Sequence, residues 1–376
     1  MKPTRIAINI RPALWPQSGI ARVVVNILDE MAVLAPALQF LAYSPVQISE
    51  DHPLGRVIEK HSNVELRVVG GGKLLFETVL LRRAIKRDDA NLFLSTIPET
   101  VNPKDIPTVA IIHDLLPEVN PGILPLRIRL LKYLKNNRRN ACRAAAVIVP
   151  SLSTQRDLLQ YYRKDPSNVF VAPYGIDPAI QRSSRTDAMK RLRDAEKLTN
   201  SFFFMVNTVR FRPIVQAYIE YCRRIDSPSD LVILGIPDTA HAYDRMVKSA
   251  NVNGVIRWLS HVSEETISDL YSACSGFIMP SEYEGFGLPL AEAMHCGAPC
   301  LAWDTSSLPE VLGDAGVLVS PLDIRKTTDW LCRIESDATY SRVLSEAGII
   351  KSRSFSWRRC AETILIAIND VTQLAA

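Results

Sequence analysis

Short apolar runs alternate with longer amphipathic stretches along the whole chain. In the first half, the runs at 6–10, 40–43, 64–69, 91–95, 108–112, 145–149 and 169–172 predict strands. In the second half, those at 202–206, 231–235, 255–258, 276–279, 300–303 and 316–319 do the same. Many are unbroken Val, Ile and Leu runs without period-two alternation, the pattern of strands buried on both faces. Strands that alternate with helices predict parallel, doubly wound sheets. Thirteen strands exceed what one open sheet usually carries, so the expected fold class is α/β with two Rossmann-like domains. The boundary is expected within APYGIDPAIQ, residues 172–181, where Pro173, Gly175 and Pro178 punctuate the chain after the last strand of the first half.

Composition narrows the class. A chain of 376 residues with 47% hydrophobic content suits a soluble protein of two domains. A net charge of +4 is too weak by itself to imply nucleic acid. Seven cysteines, an odd number with no CxxC pair, predict reduced thiols and a cytoplasmic protein. Cys296 and Cys300 flank His295, but the spacing is poor for a metal and no second Cys/His cluster follows. The start MKPTRIAINIRP lacks the apolar core of a signal peptide, and no run of about 18 apolar residues predicts a membrane span.

A Rossmann-like domain invites a search for GxGxxG. The stretch EGFGLPL supplies Gly285 and Gly287, but Leu290 occupies the third glycine position, and the stretch lies far from the first strand. A dinucleotide-dependent oxidoreductase is therefore disfavoured. The same segment, SEYEGFGLPLAEAMHCGAPC (281–300), still reads as strand, loop and helix. Pro289 suits the first helical position, Glu292 the first turn, and Gly297 the C-terminal cap. Amides near Phe286, Gly287 and Leu288 then point to the carboxyl edge of the sheet, where phosphates and hydroxyls bind. Glu284 and Glu292, eight positions apart, can each accept two hydroxyl donors from a vicinal diol. The alternative is a helix-start glutamate favoured by the macrodipole and a solvated loop residue. His113 and Asp114 end a buried strand, a good place for a site, although a lone histidine there is also often a packed core residue.

The block MPSEYEGFGLPLAEAMHCGAPCLAWDTSSLPEVLGDAGVLVSPLD (279–323) resembles the nucleotide-sugar-binding half of the retaining glycosyltransferases of family four. These have the GT-B fold, two Rossmann-like domains facing across a cleft. The glutamate–seven residues–glutamate motif falls on Glu284 and Glu292, and SSLPEV on 306–311. SGIARVVVNIL (18–28), IIHDLLP (111–117), the segments between 149 and 177, and FSWRRCAETIL (355–365) agree as well. The resemblance implies an acceptor-side domain at 1–174, a donor domain at 175–355, and a closing helix at 356–376 packing back on the first domain. It implies that Glu292 binds the ribose, that Glu284 contacts the donor sugar, and that the amides of Phe286, Gly287 and Leu288 bind sugar hydroxyls and phosphate. Gly19 would bring a helix start to the leaving diphosphate, His113 would lie beside the donor sugar, and Asp114 would support the acceptor side.

One segment departs from the family. Where G-x-x-x-P-R-K-N is usual, this chain has FFFMVNTVRFRPIVQAY (202–218). Asn207 replaces the glycine, and Pro213 stands about where the lysine belongs. Arg212, helped by Arg210, remains to neutralise the diphosphate, since arginine can clamp phosphate bidentately. The alternative is that both are solvated surface residues. No D-x-D pair suggests a metal, and no cofactor is expected beyond the nucleotide sugar as substrate.

The basic stretch PLRIRLLKYLKNNRRNACR (125–143), like LLRRAIKR (80–87), is either a face that docks on anionic lipid or the solvated side of core-packing helices. The expected activity is metal-independent transfer of a sugar, mannose from GDP-mannose first, with retention. The acceptor would be a glycan or polyprenyl-linked glycan in surface polysaccharide or lipopolysaccharide synthesis, reached on the inner face of the cell membrane. The rivals are a UDP-sugar transferase, a GT-B epimerase, and a weakly active sugar-nucleotide-binding partner subunit.

Overall fold

The computed structural model describes residues 4–15, 18–98, 100–123, 133–206, 211–236 and 240–374. The chain divides into two compact units: Met1–Gly175 with Ser356–Ala376, and Ile176–Phe355. Each is built on one parallel sheet, and all thirteen expected strands form. The first sheet contains β1 (Arg5–Asn9), β2 (Gln39–Ser44), β3 (Val64–Val68), β4 (Leu92–Ser95), β5 (Thr108–Ile111), β6 (Ala146–Val149) and β7 (Val169–Val171), in the order β3-β2-β1-β4-β5-β6-β7. The second contains β8 (Phe202–Val206), β9 (Asp230–Leu234), β10 (Ile256–Leu259), β11 (Gly276–Met279), β12 (Cys300–Trp303) and β13 (Val317–Val319), in the order β10-β9-β8-β11-β12-β13. Strand ends differ from expectation by a residue where the ladder stops. Val255 is exposed and outside β10, whose pairing with β9 begins at Ile256.

In each sheet the winding reverses once, between β1 and β4 and between β8 and β11. Ligands of open α/β sheets bind beyond the carboxyl ends of the strands at such points. The central strands are buried throughout, which explains their unalternated apolar sequences.

The last helix, Trp357–Leu374, belongs to the first unit. It packs along the helix Gly19–Leu34, and its Ala361, Ile364 and Ile368 are buried. Its start is tight against the end of the first unit's main segment. A Cβ on Gly175 would lie 2.2 Å from the backbone nitrogen of Trp357, so only glycine fits there. Tyr174 stacks on the Trp357 ring at 5.7 Å.

The basic stretch at 80–87 spends its apolar residues inside. Leu81, Ala84 and Ile85 of the helix Leu81–Arg87 join a cluster with Phe76, Tyr43 and Phe93. Of the second basic stretch, residues 124–132 lie outside the described part, and Tyr133–Arg143 is helical. No helix among the described residues is long and apolar enough to cross a membrane.

Candidate active site

In the second unit, β11 runs into the loop 280–287 and then the helix Leu288–Cys296. Gly287 takes the N-cap with φ 96°, in the left-handed region where a side chain is strained, and a Cβ there would lie 2.9 Å from Leu308 Cδ2. The helix starts at Leu288, so Pro289 is its second residue rather than its first. Glu292 is consequently in the second turn, which removes the macrodipole reading of a helix-start glutamate. Gly297 closes the helix with φ 85°. Among the described residues, the amides of Gly287 and Leu288 donate to no protein acceptor. They are orphan helix-start donors at the carboxyl edge of the sheet, suited to an anion or a hydroxyl.

The SSLPEV stretch holds this loop. The Glu284 amide donates to Ser306 Oγ at 2.8 Å, and Thr305 Oγ1 donates to the Ser281 carbonyl at 2.7 Å. The fully buried Ser307 Oγ lies 3.0 Å from the Glu284 carbonyl and 2.9 Å from that of Phe286. Phe286 meets Phe355 edge-on at 5.4 Å. The sequence shows the two motifs side by side but not that one is the scaffold of the other. Glu284 is half-buried in the loop. Glu292 is 2% exposed and accepts from Tyr271 Oη at 3.3 Å. Tyr271 is itself wedged edge-on against Phe204 and Phe277. Arg212 is exposed and opens the helix Arg212–Cys222, which follows β8, the neighbour of β11, at the same sheet edge. Arg210 lies outside the described residues.

In the first unit, the expected residues also gather at the carboxyl edge of their sheet. Gly19 is the exposed first residue of its helix, whose Ser18 cap accepts from the Ala21 amide at 3.1 Å. Asp114 is exposed, and its Oδ1 accepts from the Leu116 amide at 2.9 Å. His113 follows β5 with both ring nitrogens engaged. Nε2 lies 2.8 Å from the Thr96 carbonyl, which can only accept, so Nε2 carries the proton. Nδ1, at 2.5 Å, therefore accepts from Tyr174 O–H. Burial lowers the His113 pKa below the ordinary 6.5, and the Thr96 bond and Asp114 oppose this more weakly. The ring is neutral and fixed in one tautomer.

Tyr174 and Thr96 are additions that sequence reading missed. The only signal for Tyr174 was an aromatic inside a Pro-Gly boundary. A larger omission lies beneath them. Glu77, 3% exposed, accepts from Arg11 Nε, from Asn9 Nδ2 at 3.0 Å and from Thr100 Oγ1 at 2.5 Å. The Asn9 carbonyl in turn accepts from Thr96 Oγ1 at 2.5 Å. A hydrogen-bonded chain thus runs from Arg11 through Glu77, Asn9 and Thr96 to His113 and Tyr174. Glu77 projects from a π-helical turn, Phe76–Leu80, a distortion common at functional sites. The signal in the sequence was a lone acid within the apolar run LLFETVL.

The neutral His113 sets an acid-side prediction. As pH falls below 6.5, the unfolded chain takes up a proton here that the folded protein resists. Stability should then fall, down to the lower folded pKa. Tyr174→Phe removes a bond that only neutral imidazole can accept, so His113 titrates higher and the acid-side slope becomes shallower. Urea unfolding from pH 8 to pH 5 measures it, and an unchanged slope would contradict the assigned tautomer.

Two switch-point edges on parallel sheets define the class as a two-Rossmann-domain, ligand-binding α/β protein. The comparisons narrow it. The family described as Glycosyltransferase Family 4 matches residues 17–180, and that described as Glycosyl transferases group 1 matches residues 190–350. The chain belongs to the family-four glycosyltransferases, with the GT-B fold.

O-antigen chain mannosyltransferase B of Escherichia coli is 37% identical over 116 residues, 31% of this chain and 30% of that protein. The serotype-specific mannosyltransferase WbdA of Escherichia coli is 26% identical over 283 residues, 72% of this chain and 34% of that one. The matches thus span about a third of those two relatives' length. Among solved structures, Anabaena Alr3699/HepE in complex with UDP and glucose has a TM-score of 0.71 at 18% identity, covering 98% of this chain and 100% of that one. WaaG, a glycosyltransferase involved in lipopolysaccharide biosynthesis, has a TM-score of 0.68 at 14% identity, covering 95% and 97%.

Proposed function

We propose that the protein is a retaining, metal-independent hexosyltransferase that moves mannose from GDP-mannose to a hydroxyl of a glycan or lipid-linked glycan in surface polysaccharide synthesis. The observation that carries this reading is the loop–helix from Glu284 to Glu292, clamped by residues 305–307, with two orphan amides at a sheet switch point. The similarity to two mannosyltransferases of Escherichia coli supports the choice of sugar.

To the second unit we assign the donor. Glu292 accepts from the ribose diol and Glu284 from the sugar. The Gly287 and Leu288 amides, with that of Phe286, serve hydroxyls and phosphate, and Arg212 and Arg210 take the diphosphate charge. To the first unit we assign the acceptor side, with Asp114 near the acceptor and the helix start at Gly19 suited to an anion. The neutral His113 keeps Nε2–H ready to donate to a sugar hydroxyl in exchange for the Thr96 carbonyl. In the reaction the acceptor oxygen bonds the anomeric carbon as the bond to the diphosphate oxygen breaks. The departing phosphate takes the acceptor's proton, so the acceptor enters and the diphosphate leaves on the same face.

The test is GDP release from GDP-mannose, with UDP-sugars in parallel, with and without mannosyl acceptors, and with EDTA. The expected result is acceptor-dependent GDP release, insensitive to EDTA, with the donor's anomeric configuration kept in the product. The missing lysine beside Arg212 favours a second reading, a weakly active nucleotide-sugar-binding subunit. Tight nucleotide binding with no turnover on any acceptor would select it.

A further inference from the structure

A cavity of about 560 Å³ opens at the opposite end of the second sheet from the loop–helix. Its floor is Ser201, Ser275 and Pro299, the residues that lead into β8, β11 and β12, so it lies at the amino edge of the strands. Three exposed arginines line it: Arg182, Arg185 and Arg342. Arg185 Nη2 donates to Ser275 Oγ at 3.1 Å. None of the three has a carboxylate partner within ion-pair distance among the described residues.

Glu335 is the one carboxylate in the lining; it accepts a hydrogen bond from Ser229 Oγ and offsets one of the three positive charges. The two cysteines of the wall, Cys274 and Cys296, are neutral, since burial pushes both thiols up to about 12. Two helices, Arg185–Glu196 and Ala338–Ser352, begin at the rim and add partial positive charge, while Leu288–Cys296, Glu264–Ala273 and Ile324–Ser336 end there and cancel it. The three arginines against one carboxylate leave the balance cationic. Like charges gathered in a concavity focus the field on an anion, and guanidinium forks match phosphate oxygens. The volume falls in the range of small-molecule sites, roughly 300–1,000 Å³, and serine hydroxyls around it suit a polyol.

We propose that this cavity is a second binding site, separate from the donor edge, for a phosphorylated small molecule. Arg182, Arg185 and Arg342 hold the phosphate, and the serines meet hydroxyls on its carrier. The site does not depend on the activity proposed above.

The test is isothermal titration of the full chain at fixed ionic strength with glucose 6-phosphate, inorganic phosphate and glucose. It is repeated with the R182A/R342A double variant, whose fold is checked by circular dichroism. The expected result is saturable binding of a phosphate-bearing probe, none of glucose, and affinity weaker by about tenfold or more in the double variant. Tighter binding of glucose 6-phosphate than of inorganic phosphate identifies the carrier as a sugar, and parity identifies the free ion. No saturable binding of either phosphate, or binding unchanged in the folded double variant, would overturn the proposal.

Discussion

Glu292→Gln is expected to weaken GDP binding by about ten- to a hundredfold, with little change in thermal stability. A hydrogen bond to a charged group contributes about 1.5–3 kcal/mol, and each 1.4 kcal/mol is about tenfold in affinity. The enclosure of Glu292, 2% exposed beside Tyr271, puts its carboxylate in low-dielectric surroundings. There a bond to a ribose hydroxyl is stronger than the same bond in water. Glutamine keeps the volume and one acceptor, so the Tyr271 bond survives. Titration of GDP against both proteins gives the affinity, and a melting curve gives the stability. If GDP affinity is unchanged while the melting temperature falls, Glu292 serves the packing of its helix and not the ligand.

Glu77→Ala has the largest expected effect on stability, a loss of about 3–5 kcal/mol in the first unit. The change leaves Arg11, 5% exposed, with its charge enclosed, and removes the acceptor of Asn9 and Thr100. Removing one partner of a buried pair costs more than the pair contributes, because the remaining charge stays desolvated and loses a counter-ion. Urea denaturation monitored in the first unit checks the magnitude. Arg11→Met with Glu77→Leu should recover part of the loss, since no charge is left enclosed although Asn9 and Thr100 still lack their acceptor. A loss below about 1 kcal/mol in the single variant would show that solvent reaches Arg11 and that the chain of bonds to His113 is dispensable.

The fold was legible because its signal is long-range and redundant. Thirteen apolar runs, the central ones buried on both faces, leave few alternatives to parallel sheets, and a one-residue error at Val255 or Gly316 changes nothing. The loop 280–287 was legible because Gly287 must adopt a left-handed conformation that the sequence announces with a glycine. The supports of the site were not legible. Ser307 looks like any loop serine until its hydroxyl is seen beside two carbonyls 21 and 23 positions earlier. Glu77 and Arg11 are 66 positions apart, and Tyr174 and His113 are 61 apart. Side-chain pairing over such separations depends on which strand ends the topology brings together, which local patterns do not encode. Glu292 falls in the second turn rather than the first because the helix starts one residue earlier than expected, and helix boundaries depend on which amide is first to find a carbonyl.

The fit of Trp357 against Gly175 has a consequence for biosynthesis. The first unit is stitched from two stretches, 1–175 and 356–376, so a ribosome that has delivered residues 1–175 has made a body that still lacks one wall. The face of the helix Gly19–Leu34 that awaits the last helix remains wet while some 180 further residues are translated, and the second unit can close first. A nascent chain stalled before Ser356 should therefore hold one protease-resistant core, formed by the portion made later.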